Sequence, residues 1–233
     1  MNDHKIAFII CCNDELFLNE TTAYLNRLIV PEGYEVELLV ISEAQSMLAG
    51  MTEGKDSTDA KYKVFMHQDV FILNRNFIAD LLAIFQSDET IGLVGMIGCK
   101  KVAADGIMWS EVYDGTIYIK GVPISDYSKY QYSVEKDGMI DVTTVDGLLM
   151  ATSQDIPLRT DLFTGWDFYD LSTSLEYKRA GYRVVVPNQR TPWVLHDDGK
   201  YLSLWNYDIF RKIALEEYAD YIVEEEGLKE HKK

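Results

Sequence analysis

The stretch VFMHQDVFIL, residues 64–73, sets His67, Gln68 and Asp69 inside an apolar run. A charge buried in such a run is costly unless it is paired or holds a metal. Residues i and i+2 of a strand point to one face, so His67 and Asp69 could reach one ion while Gln68 is directed elsewhere. An imidazole together with a carboxylate suits Mn²⁺ or Mg²⁺, with waters and substrate phosphates completing the shell. A strand end at the surface, carrying a hydrogen-bonded His–Asp pair, would use the same residues.

Three later stretches could add to this pair. GWDFYD, residues 165–170, puts Asp167 and Asp170 three apart at the start of a helix. That spacing shares a helix face, and acidic residues also complement a helix N-terminus. WVLHDDG, residues 193–199, ends a short apolar piece on His196, which gains meaning only as a third partner for His67 and Asp69. VDGLLMAT, residues 145–152, reads as an ordinary Asp-Gly turn before a strand. Cys11, Cys12 and Cys99 have no C-x-x-C or other metal-ligand spacing and read as small buried hydrophobes in a reducing compartment.

The elements that must position these residues are visible in the apolar pattern. KIAFIICC, residues 5–12, is a continuous apolar run, the mark of a strand buried on both faces. Asn13 follows as a helix cap, and Leu18, Thr22, Leu25, Leu28 and Ile29 recur at helical spacing until Pro31 and Gly33. A strand over 34–42, a helix over AQSMLAGMTEG, a strand from Tyr62 into the HQD stretch, a helix over 76–86 with Phe77, Leu81, Leu82 and Phe85 on one side, and a strand over 90–98 complete four strand–helix alternations. This alternation is an α/β pattern with a mostly parallel sheet flanked by helices. Ligands then sit beyond the carboxyl ends of the strands, where Asn13, Ser42–Glu43, His67–Asp69 and Gly98–Lys101 fall. Beyond residue 100 the pattern predicts an antiparallel hairpin in MWSEVYDGTIYIKGV, a Tyr-rich polar loop over 125–137, a strand over 139–152, a helix ending at Gly181, a strand in YRVVVP and a last helix over 201–226. Leu204, Tyr207, Ile213 and Leu215 are that helix's expected packing residues, and GLKEHKK is an expected frayed tail.

With 233 residues, 47% of them hydrophobic, the chain suits one domain over 1–233. Residues 1–100 and 101–200 differ in style with no domain boundary between them, and 201–233 carries the final helix and tail. A net charge of −16 argues against nucleic-acid partners and against docking on anionic lipid. The run from Ile6 to Cys12 is too short for a signal segment, and no apolar run is long enough to span a membrane, so the expected location is cytoplasmic. The final helix could make a homodimer.

Taken in order, these pieces resemble family 2 glycosyltransferases, whose GT-A fold binds nucleotide-diphospho-sugars. KIAFIICCNDELFLNETTAYLNRL is similar to that family's opening, in which a strand ends in an Asn-containing turn at the nucleotide; the resemblance implies this role for Asn13. KVFMHQDV stands where the family carries Asp-x-Asp at the metal, so His67 replaces the first Asp and Asp69 is the second. YDLSTSLEYKRAGYRVVVP resembles the helix with Glu-Asp-x-Asp followed by Arg-x-Gly-Tyr-x-Val. It places Asp170 on the catalytic Asp, Tyr169 on the Glu and Ser172 on the second Asp. His196 matches a late histidine used at the metal, and Ser42–Glu43 stands for an acidic pair that reads base and ribose. The resemblance spans about residues 5–200 and looks closest to a divergent branch related to a streptomycin-biosynthesis protein domain.

The resemblance implies a transferase that moves a sugar from a nucleotide-diphosphate donor to a carbohydrate or other hydroxyl acceptor with inversion. Mn²⁺ or Mg²⁺ would be held by Asp69 with His67 or His196, and Asp170, or Asp167 after a change of register, would be the base. A carboxylate base is ionised at pH 7 without any large shift of its pKa. Gln68 joins Asn13 and Glu43 as a donor-binding candidate, and Lys100 and Lys101 could add positive charge near the phosphates. Trp166, Trp193 and the tyrosines of 127–132 could stack on an acceptor, with core packing the better reading for Trp193. Two other classes are alternatives: a nucleotidyltransferase, which should show a Gly-rich basic stretch after the first strand, where CCNDELFLNE is neither, and an inert nucleotide-sugar-binding module that kept the fold.

Overall fold

The run IAFIICC is apolar throughout because both faces of its strand are covered. In β1 (Asn2–Cys12), Ile6, Phe8 and Ile10 enter one apolar layer, shared with Leu18 and Leu25 of α1 (Glu15–Leu25) and the buried side of α3 (Phe77–Ser87). Ala7 and Ile9 enter the opposite layer, with α2 (Met47–Asp56), α4 (Tyr169–Arg179) and α5 (Tyr207–Glu217). The computed structural model describes residues 1–111, 113–119, 130–131, 138–197 and 204–222.

The other strands are β2 (Glu35–Ser42), β3 (Ala60–His67), β4 (Val70–Ile72), β5 (Ile91–Gly95), β6 (Ile97–Cys99), β7 (Tyr113–Gly115), β8 (Tyr118–Ile119), β9 (Tyr130–Gln131), β10 (Met139–Asp141), β11 (Thr144–Val145), β12 (Leu149–Thr152), β13 (Arg183–Pro187) and β14 (Val194–His196). The main sheet has the order β10-β13-β5-β12-β3-β1-β2. β1 pairs parallel with β2 and β3, and β13 pairs parallel with β5. β12 lies antiparallel between β3 and β5, and β10 lies antiparallel at the edge. Two smaller sheets, β11-β6-β7-β9 and β4-β14-β8, stand beside it. The result is the expected mixed α/β architecture, a mostly parallel central sheet flanked by helices.

Several local expectations fail, each for a physical reason. Residues 90–98 do not form one strand: the chain turns at Met96, leaving β5 in the main sheet and β6 in the four-stranded one. The strand over 139–152 is likewise three short strands, β10, β11 and β12. Asp114-Gly115 is not a hairpin turn. β7 pairs with β6 and β9, whereas β8 pairs with β14. Gly115 is needed there because its φ is +100° and a Cβ would lie 2.3 Å from the Met96 carbonyl oxygen.

Asp14, not Asn13, caps α1, its carboxylate accepting from the Leu16 and Phe17 amides at 2.8 and 3.4 Å. Thr21 rather than Thr22 is the buried threonine of α1, and Ile29 is exposed beyond the helix end. The last helix packs through the buried Phe210 and Ala214, followed by Tyr218, with the expected Tyr207 and Ile213 partly buried against the same layer, while Leu204 is exposed. The tyrosine-rich loop lies outside the described residues except for Tyr130–Gln131, as does the GLKEHKK tail. Among the described residues, no helix is long and apolar enough to cross a membrane.

Candidate active site

Three strand ends meet at one edge of the main sheet. β1 delivers Cys11, Cys12 and the following Asn13, β2 is followed by Glu43, and β3 ends at His67 with Gln68 and Asp69 in the turn beyond it. With Trp166 and Tyr169 they line a cleft of about 300 Å³. Cys11 and Cys12 are thus half-buried, lining the cleft while packing against the two core layers, and Cys99 is buried; all three are free thiols.

The HQD stretch works through a turn, not through strand alternation. Thr21 pins that turn to α1 by donating its hydroxyl to the Gln68 carbonyl at 2.5 Å. The Gln68 side chain faces away from Asp69. Its Oε1 accepts from the Asn13 and Asp14 amides at 2.9 Å each, and its Nε2 donates to Asn13 Oδ1 at 2.6 Å. Gln68 therefore ties the end of β3 to the end of β1, with its amide oxygen fully used.

His196 arrives from the smaller sheet. β14 runs antiparallel to β4, with His196 opposite Val70, and the Asp197 amide donates to the Asp69 carbonyl at 2.9 Å. His196 Nε2 is then 3.5 Å from Asp69 Oδ1, and His67 Nδ1 is 3.9 Å from the same oxygen. One ligand atom from each residue lies within 4.8 Å of the others. Asp69 Oδ1 is buried and accepts no hydrogen bond from a side chain or backbone group. A buried, unshared carboxylate oxygen between two imidazoles is the donor set a divalent cation needs. Burial pushes Asp69 up, but the facing His196 and His67 rings outweigh it and hold the carboxyl below its ordinary value. Burial, with the His196 ring beside it, pushes His67 down to about 4, so this imidazole is neutral near pH 7.

Asp170 sits in the first turn of α4. Its Oδ1 accepts from the Leu171 amide at 2.8 Å and its Oδ2 from the Gly147 amide at 3.2 Å. Burial, followed by the neighbouring Asp146 carboxylate, raises it to about 7, which corrects the expectation of a base with no large shift. Asp167 does not share a helix face with it. Phe168, at φ +61°, reverses the chain between them, and α4 begins only at Tyr169. Asp167 is half-buried, and burial raises its pKa as well.

Lys100 does not line the cleft. It follows β6 and reaches towards Asp114, with Nζ 3.9 Å from the carboxylate. Trp193 packs edge-on against Phe77 in the core, and Trp166 remains half exposed at the cleft.

Two residues to which the sequence reading gave no role in the site, Asp146 and Tyr169, lie close to it. Asp146 is buried, with Oδ1 accepting from Leu148 at 2.8 Å, and burial raises its carboxyl. Because β12 is antiparallel, the turn that starts it, 146–148, lies at the carboxyl end of β3, where the Leu148 carbonyl accepts from the His67 amide at 3.0 Å. Tyr169, the first residue of α4, is buried, and its hydroxyl is hydrogen-bonded to His67 Nε2. Burial first, and then the charges of Asp170, Asp146 and Asp69, push the phenol well above its ordinary value, so it stays neutral.

The fold is that of GT-A glycosyltransferases. GalNAc-T7, in a structure with UDP, GalNAc and Mn²⁺, superposes at a TM-score of 0.58 with 13% identity over 94% of this chain and 50% of its own. TarS 1–349 from S. aureus, in complex with UDP, gives 0.56 with 10% identity over 94% and 67%. The mannosyltransferase PcManGT from Pyrobaculum calidifontis, with GDP-Man and Mn²⁺, gives 0.53 with 14% identity over 91% and 61%. No curated protein is close enough in sequence to count as a relative. The glycosyltransferase-like family matches from residue 7 to residue 218, which takes in every cleft residue described above, and the chain therefore belongs to that family.

Proposed function

We propose that this glycosyltransferase moves a sugar from a nucleotide-diphosphate donor to an acceptor hydroxyl with inversion, using a divalent cation and Asp170 as base. The observation that carries the reading is the convergence of Asp69, His67 and His196 on one point, beside a helix whose first turn holds Asp170. Nucleoside diphosphates, nucleotide sugars and Mn²⁺ occupy the structurally similar enzymes. Asp69, His67 and His196 would hold the cation, and two imidazoles beside one carboxylate favour Mn²⁺ over Mg²⁺, which prefers an all-oxygen shell. Bound there, the ion supplies positive charge to the departing diphosphate.

The chain's own groups do the rest. Asn13 and Glu43 line the cleft where base and ribose would lie, and Trp166 offers an exposed face to the acceptor. Asp170 accepts the acceptor's hydroxyl proton as its oxygen attacks the anomeric carbon from the side opposite the leaving group. A carboxyl held near pH 7 matches that task, because the base must bind a proton and release it again. Residues 1–233 would act as one domain, in a cytoplasm that keeps the three free cysteines reduced.

Glu43 provides a separable check. It sits at φ +59°, a left-handed conformation that costs a non-glycine residue about 1–2 kcal/mol. Glu43→Gly should therefore leave the melting temperature unchanged or raised, yet weaken nucleoside diphosphate binding about 10-fold by removing a charged hydrogen-bond acceptor. Thermal melts and calorimetry together read both effects. The function itself is tested by screening nucleotide sugars with Mn²⁺ for release of the nucleoside diphosphate. Turnover with at least one donor supports the transferase reading. Tight nucleotide binding with no turnover of any donor would make the chain an inert binding module instead.

A further inference from the structure

We infer that Tyr169 is a positioning residue: its hydroxyl fixes the His67 ring so that Nδ1 faces Asp69, which completes the cation site. The inference rests on the cation reading given above and extends it to a residue that reading does not use.

Four observations support it. The Tyr169 hydroxyl is hydrogen-bonded to His67 Nε2, which leaves Nδ1 as the ring nitrogen turned towards Asp69 Oδ1, 3.9 Å away. The His67 backbone is already held, its amide donating to the Leu148 carbonyl at 3.0 Å, so ring orientation is the freedom that remains. Tyr169 is itself held, with its carbonyl accepting from the Thr173 hydroxyl at 2.7 Å and the left-handed Phe168 turning the chain into α4 just before it. Room for the phenol exists only because residue 147 is glycine: a Cβ there would lie 2.0 Å from the Tyr169 hydroxyl oxygen.

The chemistry follows from the two ring nitrogens. In the tautomer that offers Nδ1 as a ligand, Nε2 carries the proton and donates it to the phenol oxygen. A hydrogen bond on the far nitrogen of a ligating histidine fixes both tautomer and orientation, and losing it typically costs about 10–100-fold in metal affinity. His67 and Tyr169 are also two of the positions, Ser172 being another, at which the chain departs from the acidic residues of the family it resembles. The structure brings these two departures into contact, as expected if they form one unit.

The test is Mn²⁺ binding by the whole chain without nucleotide, measured by calorimetry and by the electron paramagnetic resonance of free Mn²⁺. Tyr169→Phe should weaken binding by about 10-fold or more, and should raise the Mn²⁺ concentration needed for half-maximal turnover more than it lowers kcat. Gly147→Ala, which crowds the hydroxyl without deleting it, should act in the same direction. In a His67→Ala background, Tyr169→Phe should add no further loss. The inference is overturned if Tyr169→Phe leaves the affinity unchanged, or if it costs as much with His67 absent as with it present. Failure of the cation reading itself looks different: the unaltered chain would not bind Mn²⁺, or would bind it equally well after Asp69→Ala, and the inference would then fall with it.

Discussion

Asp170→Asn is expected to slow sugar transfer by about 10²–10⁴-fold while nucleotide binding persists, because it removes the proton acceptor and little else. The amide is nearly isosteric, and its oxygen can still accept one of the two backbone N–H groups, from Gly147 and Leu171, that hold the carboxylate. Near-normal turnover would transfer the role to Asp167. In the unaltered enzyme, activity should rise with pH through about 7 and then level off, because only the ionised carboxylate takes the proton.

The same substitution should stabilise the fold at alkaline pH. Asp170 has a folded pKa of about 7 against an ordinary value of 3.8, so between these values the folded chain holds a proton that the unfolded chain has lost. Stability therefore falls as pH rises across that window, and the loss is complete above it. Asn carries no such penalty. Asp170→Asn should melt several degrees above the unaltered chain at pH 8, with the gain shrinking towards pH 4. A catalytic group that costs stability is the usual trade-off at active sites. A variant that is less stable at pH 8 than the unaltered chain would argue against a buried, strained carboxylate.

The second large effect concerns the cation. Among the described residues that line the cleft, none is Lys or Arg, whereas Glu43 and Asp69 both bring negative charge. A diphosphate entering it has no side-chain counter-charge from these residues. Chelation should therefore weaken nucleoside diphosphate binding by about 100-fold, equivalent to about 3 kcal/mol, and Asp69→Ala should do the same in the presence of Mn²⁺. The uncharged nucleoside should bind weakly and equally with or without Mn²⁺. Calorimetric titrations of nucleoside and nucleoside diphosphate, each with Mn²⁺ and with chelator, separate these cases.

Much of this site was readable in the sequence because it depends on local order. The alternation of β1, α1, β2, α2 and β3 fixes which strand ends share an edge, and the polar triplet in VFMHQDVFIL marks that edge. His67 and Asp69 do converge, although through a turn after β3 rather than through the two-residue repeat of a strand. His196 had no local signal; its place depends on the antiparallel register of β14 on β4. Asp146 was missed for a similar reason. In a purely parallel sheet the start of a strand lies far from the ligand edge, and only the antiparallel insertion of β12 brings the Asp146-Gly147 turn to His67. The raised pKa of Asp170 was unreadable because it comes from burial and from Asp146, which lies 24 positions earlier in the chain. The false hairpin at Asp114-Gly115 shows the opposite error: a glycine required by close approach to β6 resembles a turn glycine in sequence.

On this reading Asp69, His67 and His196 hold the cation that receives the donor's diphosphate. Crystals grown with Mn²⁺ and a nucleoside diphosphate, measured at a wavelength where manganese scatters anomalously, test it most directly. One strong anomalous peak is expected within ligand distance of Asp69 Oδ1 and both histidine rings, with phosphate oxygens on its open side. A nucleotide seated in the cleft with no peak there, or with manganese held by other residues, would contradict it.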